Sequence, residues 1–223
     1  MNDFILHISQ HQAEIVKGFS ETFFLLGISL LFAILIGLPV GTLIYLTRKD
    51  GPLENKFISV ILNGYVNIVR SFPFLLLIVF LVPFTRWLMG VSLGTAAASV
   101  PMAVVSIAIY ARFVEQALLD VPQDIVDTAQ SLGANIYQLV FYFLFVEARS
   151  GLILGLTSSL ISFVSYSTVM GVVGGGGIGD FAMRYGYQKY DYPLMYFTII
   201  LMIILVQLVQ VLGSTIARKI DHR

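Results

Sequence analysis

Asn63, Asn67 and Arg70 stand at i, i+4 and i+7, within about 60° of one another on a helix of 3.6 residues per turn, so they form one polar stripe. An Arg at the centre of a lipid-facing helix costs about 2.5 to 3.5 kcal/mol on insertion scales. The stripe must therefore face protein, water or the membrane interface. Three uses fit it: a hydrogen-bonding contact between helices, an interfacial position, or the wall of a path for a polar solute. Ser158, Ser162 and Ser165 align in the same way, with Val169 following on their face and Met170 one step round. Serines serve helix contacts as readily as path walls. The run Gly174-Gly175-Gly176-Gly177-Ile178-Gly179 formally satisfies G-x-G-x-x-G, a dinucleotide fingerprint that requires a strand before it and a helix after it. Here the preceding run has the character of a membrane helix, so the fingerprint is rejected. A flexible loop between spans remains, with glycines whose backbone freedom suits movement.

The other charged sets are modest. Arg112 and Glu115, at i and i+3, can neutralise each other. Asp180, Arg184, Lys189 and Asp191 make either a solvated patch or a docking surface. With no Cys and only His7, His11 and His222, the chain has no material for a disulfide, a Cys-ligated zinc, a thiol nucleophile or a metal site. No G-x-x-x-x-G-K-[ST] occurs and no Lys follows a Gly, so the chain cannot itself be a P-loop ATPase. No nucleophile or acid-base pair converges, and no enzyme is expected.

What must position these residues is a set of membrane helices. Hydrophobic residues are 57% of the 223 and charged residues 12%, against about 45 to 50% and about 25% in soluble domains. Thirteen basic residues balance thirteen acidic ones, which leaves nothing to build a nucleic-acid patch. A span needs about 20 mainly apolar residues. Five runs pass: 22–47, 57–84, 96–119, 151–173 and 192–217, the second kinked at Pro73. Residues 1–18 carry Phe4, Ile5, Ile8, Ile15 and Val16 at helical spacing and form either an interfacial helix or an extension of the first span. The first run is not expected to be cleaved as a signal peptide. Placing the N-terminus outside puts Arg48, Lys49, Lys56, Arg149, Arg218, Lys219 and Arg223 inside, against Lys17, Arg86, Arg184 and Lys189 outside. Basic residues collect in cytoplasmic loops, so the C-terminal tail, 218–223, is expected inside. Gly37-x-x-x-Gly41 and Gly151-x-x-x-Gly155 allow close helix approach, within one subunit rather than across a dimer.

The segment 120–150 does not belong in the bilayer. Asp120 before Pro122 reads as a capped helix start. Ile125, Val126, Ala129 and Leu132 then share one side, while Gln123, Asp124, Asp127 and Gln130 face away, and Gly133 ends the helix. The result is a short amphipathic helix on the cytoplasmic side, a solvated connector or a handle for a soluble partner.

That segment resembles the EAA loop, or coupling loop, of importer permeases of the ATP-binding cassette (ABC) class. The matching positions are Asp127, Thr128, Ala129, Gly133-Ala134 and, further on, Glu147-Ala148 and Gly151. Asp127-Thr128 stands where the family usually has Glu-Ala, and Phe145-Val146 where it usually has Leu-Pro. NIVRSFPF at 67–74, PFTR at 83–86, ARFVEQALLDVP at 111–122 and YSTVMGVVGGGGIGDFAMRYGYQKY at 166–190 are similar to the methionine-uptake branch. The resemblance implies a type I importer permease fold with five transmembrane helices, in the bacterial cytoplasmic (inner) membrane. It implies a homodimer, two copies of a separate ABC ATPase that bind ATP and magnesium, and an extracellular or periplasmic methionine-binding lipoprotein. It places the region of Ser158, Ser162 and Ser165 beside the gate, and Gly174, Gly175, Gly176, Gly177 and Gly179 in an outer loop near the mouth of the path. The implied cargo is methionine, with D-methionine and close derivatives included. The rival readings are a permease for another amino acid or small metabolite, and a secondary transporter driven by an ion gradient. The second would usually show internal repeats and intramembrane acids, and Glu115 is the only acid in an expected span.

Overall fold

The computed structural model describes residues 8–221; Phe4, Ile5, His7, His222 and Arg223 lie outside that range. No β-strand occurs among the described residues. The helices are α1 (Gln12–Thr47), α2 (Lys56–Ser71), α3 (Phe74–Met89), α4 (Thr95–Leu119), α5 (Gln123–Ser131), α6 (Ile136–Val172), the short α7 (Ile178–Phe181) and α8 (Tyr192–Ile220). Single π-helical segments interrupt α1 at Ala33–Gly37 and α6 at Leu139–Leu144, and a third, Ala182–Tyr187, continues α7. Four helices, α1, α4, α6 and α8, are long and apolar enough to cross a membrane; the bent pair α2 and α3 makes a fifth if it counts as one span.

Two expectations change here. The second span is broken, not merely kinked: α2 ends at Ser71 and α3 begins at Phe74. Pro73 has φ −58° and ψ 125°, outside the helical region. Proline offers no N–H to the turn before it and disfavours helix at the residue it follows, so the backbone of Phe72 and Pro73 drops out of the helix. The helix that carries the fourth span starts fifteen residues earlier than 151, because α6 is one helix of 37 residues from Ile136 to Val172. Neither Phe145 nor Val146 is a proline, so both keep the N–H groups that carry the helix through. At the N-terminus, α1 already runs from Gln12, ten residues before the expected start of the first span.

The contacts fall into two units. One joins Phe32–Ser71, Val105–Ser159 and the residues from Gln210 on. Its helices approach closely at glycines. A Cβ on Gly37 would lie 3.1 Å from the Ile107 carbonyl oxygen, and one on Gly41 would collide with the carbonyl of Ala111 and lie 2.7 Å from Val114 Cβ. Gly151 and Gly155 meet α4 in the same way, with Ala117 Cβ at 3.1 Å and Phe113 Cβ at 2.8 Å. Both small-residue motifs therefore pack inside the subunit. Ile44, Val66 and Ala111 form a buried cluster there, lined by Val40, Leu62 and Tyr65. The turn after α1 closes through Leu53 N–H to Leu46 O and Asn55 N–H to Thr47 O, and Asn55 Oδ1 accepts from Phe57 and Ile58 N–H, 3.1 Å each, to cap α2.

The other unit joins residues 8–31 with Phe72–Val104 and Leu160–Val209. Ile178, Phe181 and Leu194 are its buried cluster, with Ile8, Ile15, Phe19, Tyr185 and Met202 packed around them. Gly171, near the end of α6, and Gly179, in α7, have no room for a side chain: a Cβ on Gly179 would lie 2.6 Å from Thr168 Cα.

Candidate coupling segment and path residues

The coupling segment is built by backbone chemistry at both ends of α5. Pro122 occupies the N-cap position and no side chain caps it. Asp120 is not the cap; its N–H donates to Gln116 O and finishes α4. At the other end Leu132 and Gly133 form a Schellman turn, with Ala134 N–H donating to Ala129 O at 3.0 Å and Gly133 N–H to Gln130 O at 2.9 Å. Gly133 has φ +71°, the left-handed conformation that such a turn demands and that glycine adopts without strain. Asn135 then starts α6 through a capping box: its Oδ1 accepts from Gln138 N–H and Gln138 Oε1 accepts from Asn135 N–H, both at 2.9 Å. Val126 and Ala129 are buried, and α5 packs against Leu139–Leu144. Leu132, expected on that buried side, is 74% exposed, because the turn begins at it and swings it off the helix face. Asp127 and Thr128 are exposed; Asp127 Oδ1 accepts from Gln123 Nε2 at 3.1 Å and Thr128 Oγ1 donates to Asp124 O at 2.6 Å. Glu147 lies half-buried on α6, well after this turn.

On α2, Asn67 and Arg70 are exposed and Asn63 is half-buried, its Nδ2 donating to Ser59 O at 3.0 Å. Along α6, Ser158 and Ser165 are exposed and Ser162 and Val169 half-buried, so those four share an accessible side. Met170 does not share it. Only 2% of it is exposed, and it lines a cavity of about 160 Å³ with Thr85, Pro101 and Gly175. Ser165 and Thr168 border a larger cavity of about 340 Å³ whose far side carries Thr198, Met202 and Gln207 of α8. Arg112 and Glu115 form the expected local pair at 2.5 Å.

The glycine run is held in place, which the expectation of a flexible loop did not foresee. Gly177 N–H donates to Glu21 Oε2 at 2.7 Å and Ile178 N–H to the buried Thr22 Oγ1 at 2.9 Å. Gly94 N–H donates to Gly174 O and Gly175 N–H to Met170 O. Gly174, Gly176 and Gly177 have φ between +74° and +91°, at 81°, 75° and 90°. A Cβ on Gly176 would lie 2.5 Å from Glu21 Oε2, so this glycine also serves close approach. Asp180 pairs with Arg184, Lys189 Nζ sits 4.3 Å from the Tyr185 ring centroid, and Asp191 Oδ1 accepts from Leu194 N–H. The charges of this patch are thus turned largely on their own elements.

Residues 33–223 match the family described as binding-protein-dependent transport system inner membrane component. The chain belongs to this family. An inner membrane component of a transport system is not an enzyme, and the fold is that of the type I ABC permeases. The probable D-methionine transport system permease MetI of Vibrio cholerae is 40% identical over 203 residues, 91% of this chain and 90% of that one. The methionine import system permease MetP of Bacillus subtilis is 36% identical over 81% of this chain and 82% of its own. A solved inward-facing MetNI methionine ABC transporter superposes with a TM-score of 0.92 at 38% identity, over 96% of this chain and 99% of that one.

Several positions that shape this inner membrane component escaped the motif reading. Asn135 and Gln138 carry a capping-box spacing, N-x-x-Q, that marks a helix start and would have placed α6 correctly. Asn55 before Lys56 is a similar signal. Glu21 and Thr22 had none, since their partners lie 156 residues away in sequence.

Proposed function

We propose that this chain is the permease subunit of an ATP-driven methionine importer of the bacterial cytoplasmic membrane. In this reading two copies form the path between them, and each rests on one of two ATPase subunits, which bind ATP and magnesium and hydrolyse it. A binding protein delivers methionine, D-methionine included, from outside. The chain crosses the membrane five times, α2 and α3 counting as one broken span, with its N-terminus outside and its C-terminus in the cytoplasm. Asn63, Asn67, Arg70, Ser158, Ser162, Ser165 and Val169 are the candidates to line the path.

The observation that carries the coupling role is α5. It is closed at its end by the Schellman turn, and it keeps Asp124, Asp127 and Thr128 exposed. A helix anchored through Val126 and Ala129 to α6 passes a displacement on as a body. Nucleotide can shift the permease between inward-facing and outward-facing states only through its differential affinity for the two. The cargo rests on the relatives, which are named for methionine or D-methionine transport across most of their length. The test is uptake of labelled L- and D-methionine into proteoliposomes. The chain alone should show no ATP hydrolysis and no ATP-driven uptake, and both should appear once the ATPase and the binding protein are added. ATP-driven uptake by the chain alone, or its absence from the full assembly, rejects the proposal.

A further inference from the structure

Arg70 makes no ion pair or side-chain hydrogen bond to any described residue, and it is exposed. Asn67, about one turn before it, is exposed and equally unpartnered among the described residues. Arg70 lies fourteen residues beyond Lys56, about 21 Å along the helix axis at 1.5 Å per residue. Such a cation is far from the basic turn that starts α2 and has no acid beside it. Hydrocarbon is a poor surrounding for it, and a polar path supplies a better one.

One turn of α2 presents a guanidinium and an amide three residues apart on one face, both exposed. An α-amino acid carries a carboxylate that needs a partner when water is stripped away. Guanidinium matches a carboxylate in a bidentate fork.

We propose that Arg70, with Asn67, receives the carboxylate of the amino-acid cargo in passage. This rests on the methionine-importer reading and gives that path a recognition element for the backbone of the cargo rather than for its side chain.

The chain has no Cys, so Asn67→Cys creates a single thiol. In the complex with its ATPase, this thiol should react with a small water-soluble sulfonate-bearing thiosulfonate. Saturating L-methionine should slow the reaction at least fivefold. L-methioninol, in which an alcohol replaces the carboxylate, should leave it unchanged. Adding Arg70→Gln should erase the protection, and Arg70→Lys should keep part of it. An unreactive thiol, equal protection by methioninol, protection that survives Arg70→Gln, or loss of ATPase assembly in Arg70→Gln each overturns the assignment. Uptake of methionine by the wild-type assembly separates the two levels: if wild type transports but the thiol is unprotected, this inference alone fails, and if wild type does not transport methionine, both fail.

Discussion

Gly27 and Gly41 lie on the same helix and should answer the same substitution in opposite directions. Around Gly27 no atom comes within 4 Å of a built Cβ, whereas at Gly41 the Cβ would collide with the Ala111 carbonyl. Alanine at an open helical position stabilises by about 0.5 to 1 kcal/mol relative to glycine. Overpacking against a fixed backbone costs about 1 to 3 kcal/mol, and a carbonyl in α4 has no rotamer with which to yield. Gly27→Ala should thus raise, and Gly41→Ala lower, the unfolding temperature of the detergent-purified chain; equal temperatures would remove the close contact from the argument. The sequence spacing Gly37-x-x-x-Gly41 announced that some helix comes close, but not that it is α4 meeting it through Ile107, Ala111 and Val114. Glu21 and Thr22 were silent for the same reason, because a cap supplied from far along the chain leaves no local pattern.

At the scale of elements, α5 separates a connector from a docking helix. Asp127 is exposed and accepts a hydrogen bond from Gln123, one turn earlier on the same helix, and nothing lies within 4 Å of a Cβ placed on Gly133. Asp127→Lys should leave the fold intact. Gly133→Leu meets no collision, and its strain is confined to the left-handed backbone of the turn, about 1 to 2 kcal/mol. If α5 docks the ATPase, a lost contact of about 1.4 kcal/mol weakens assembly tenfold. Both variants should then capture less ATPase and import less methionine per inserted permease, and retention of both properties in both variants would reduce α5 to a connector. The helix itself was legible, since Val126, Ala129 and the glycine stop follow periodicity. Its surroundings were less so: Leu132 satisfied the same periodicity yet left the helix face, because a turn geometry overrides a 3.6-residue repeat at its last position. In the same way Pro73 announced an interruption, while the size of the break depended on how many residues around it gave up helical geometry.

For the whole molecule, orientation is the property that charge alone predicts. Single cysteines at Asn55 and at Asp221 should resist an impermeant thiol reagent added to intact cells, and one at Ser92 should react. Labelling at Asp221 without labelling at Ser92 would invert the topology and remove α5 from the cytoplasm. The prediction tolerates the break between α2 and α3 only if the pair crosses the membrane once, so it also tests the count of five.

Composition by itself determined that this is a helical membrane protein, because a chain 57% hydrophobic and 12% charged cannot cover a soluble fold of this size with polar groups. Hydropathy located α1, α4 and α8, and the order of local motifs located the coupling segment. Those are properties of neighbouring residues, which short-range physics reads from spacing. Tertiary structure alone decided that Met170 turns inward, that the glycine run is pinned to Glu21 and Thr22, and that both glycine motifs close on α4. Each of these depends on a partner far away in sequence, and a local pattern of residue types states that a group can be buried or bonded without stating what will bury or bond it.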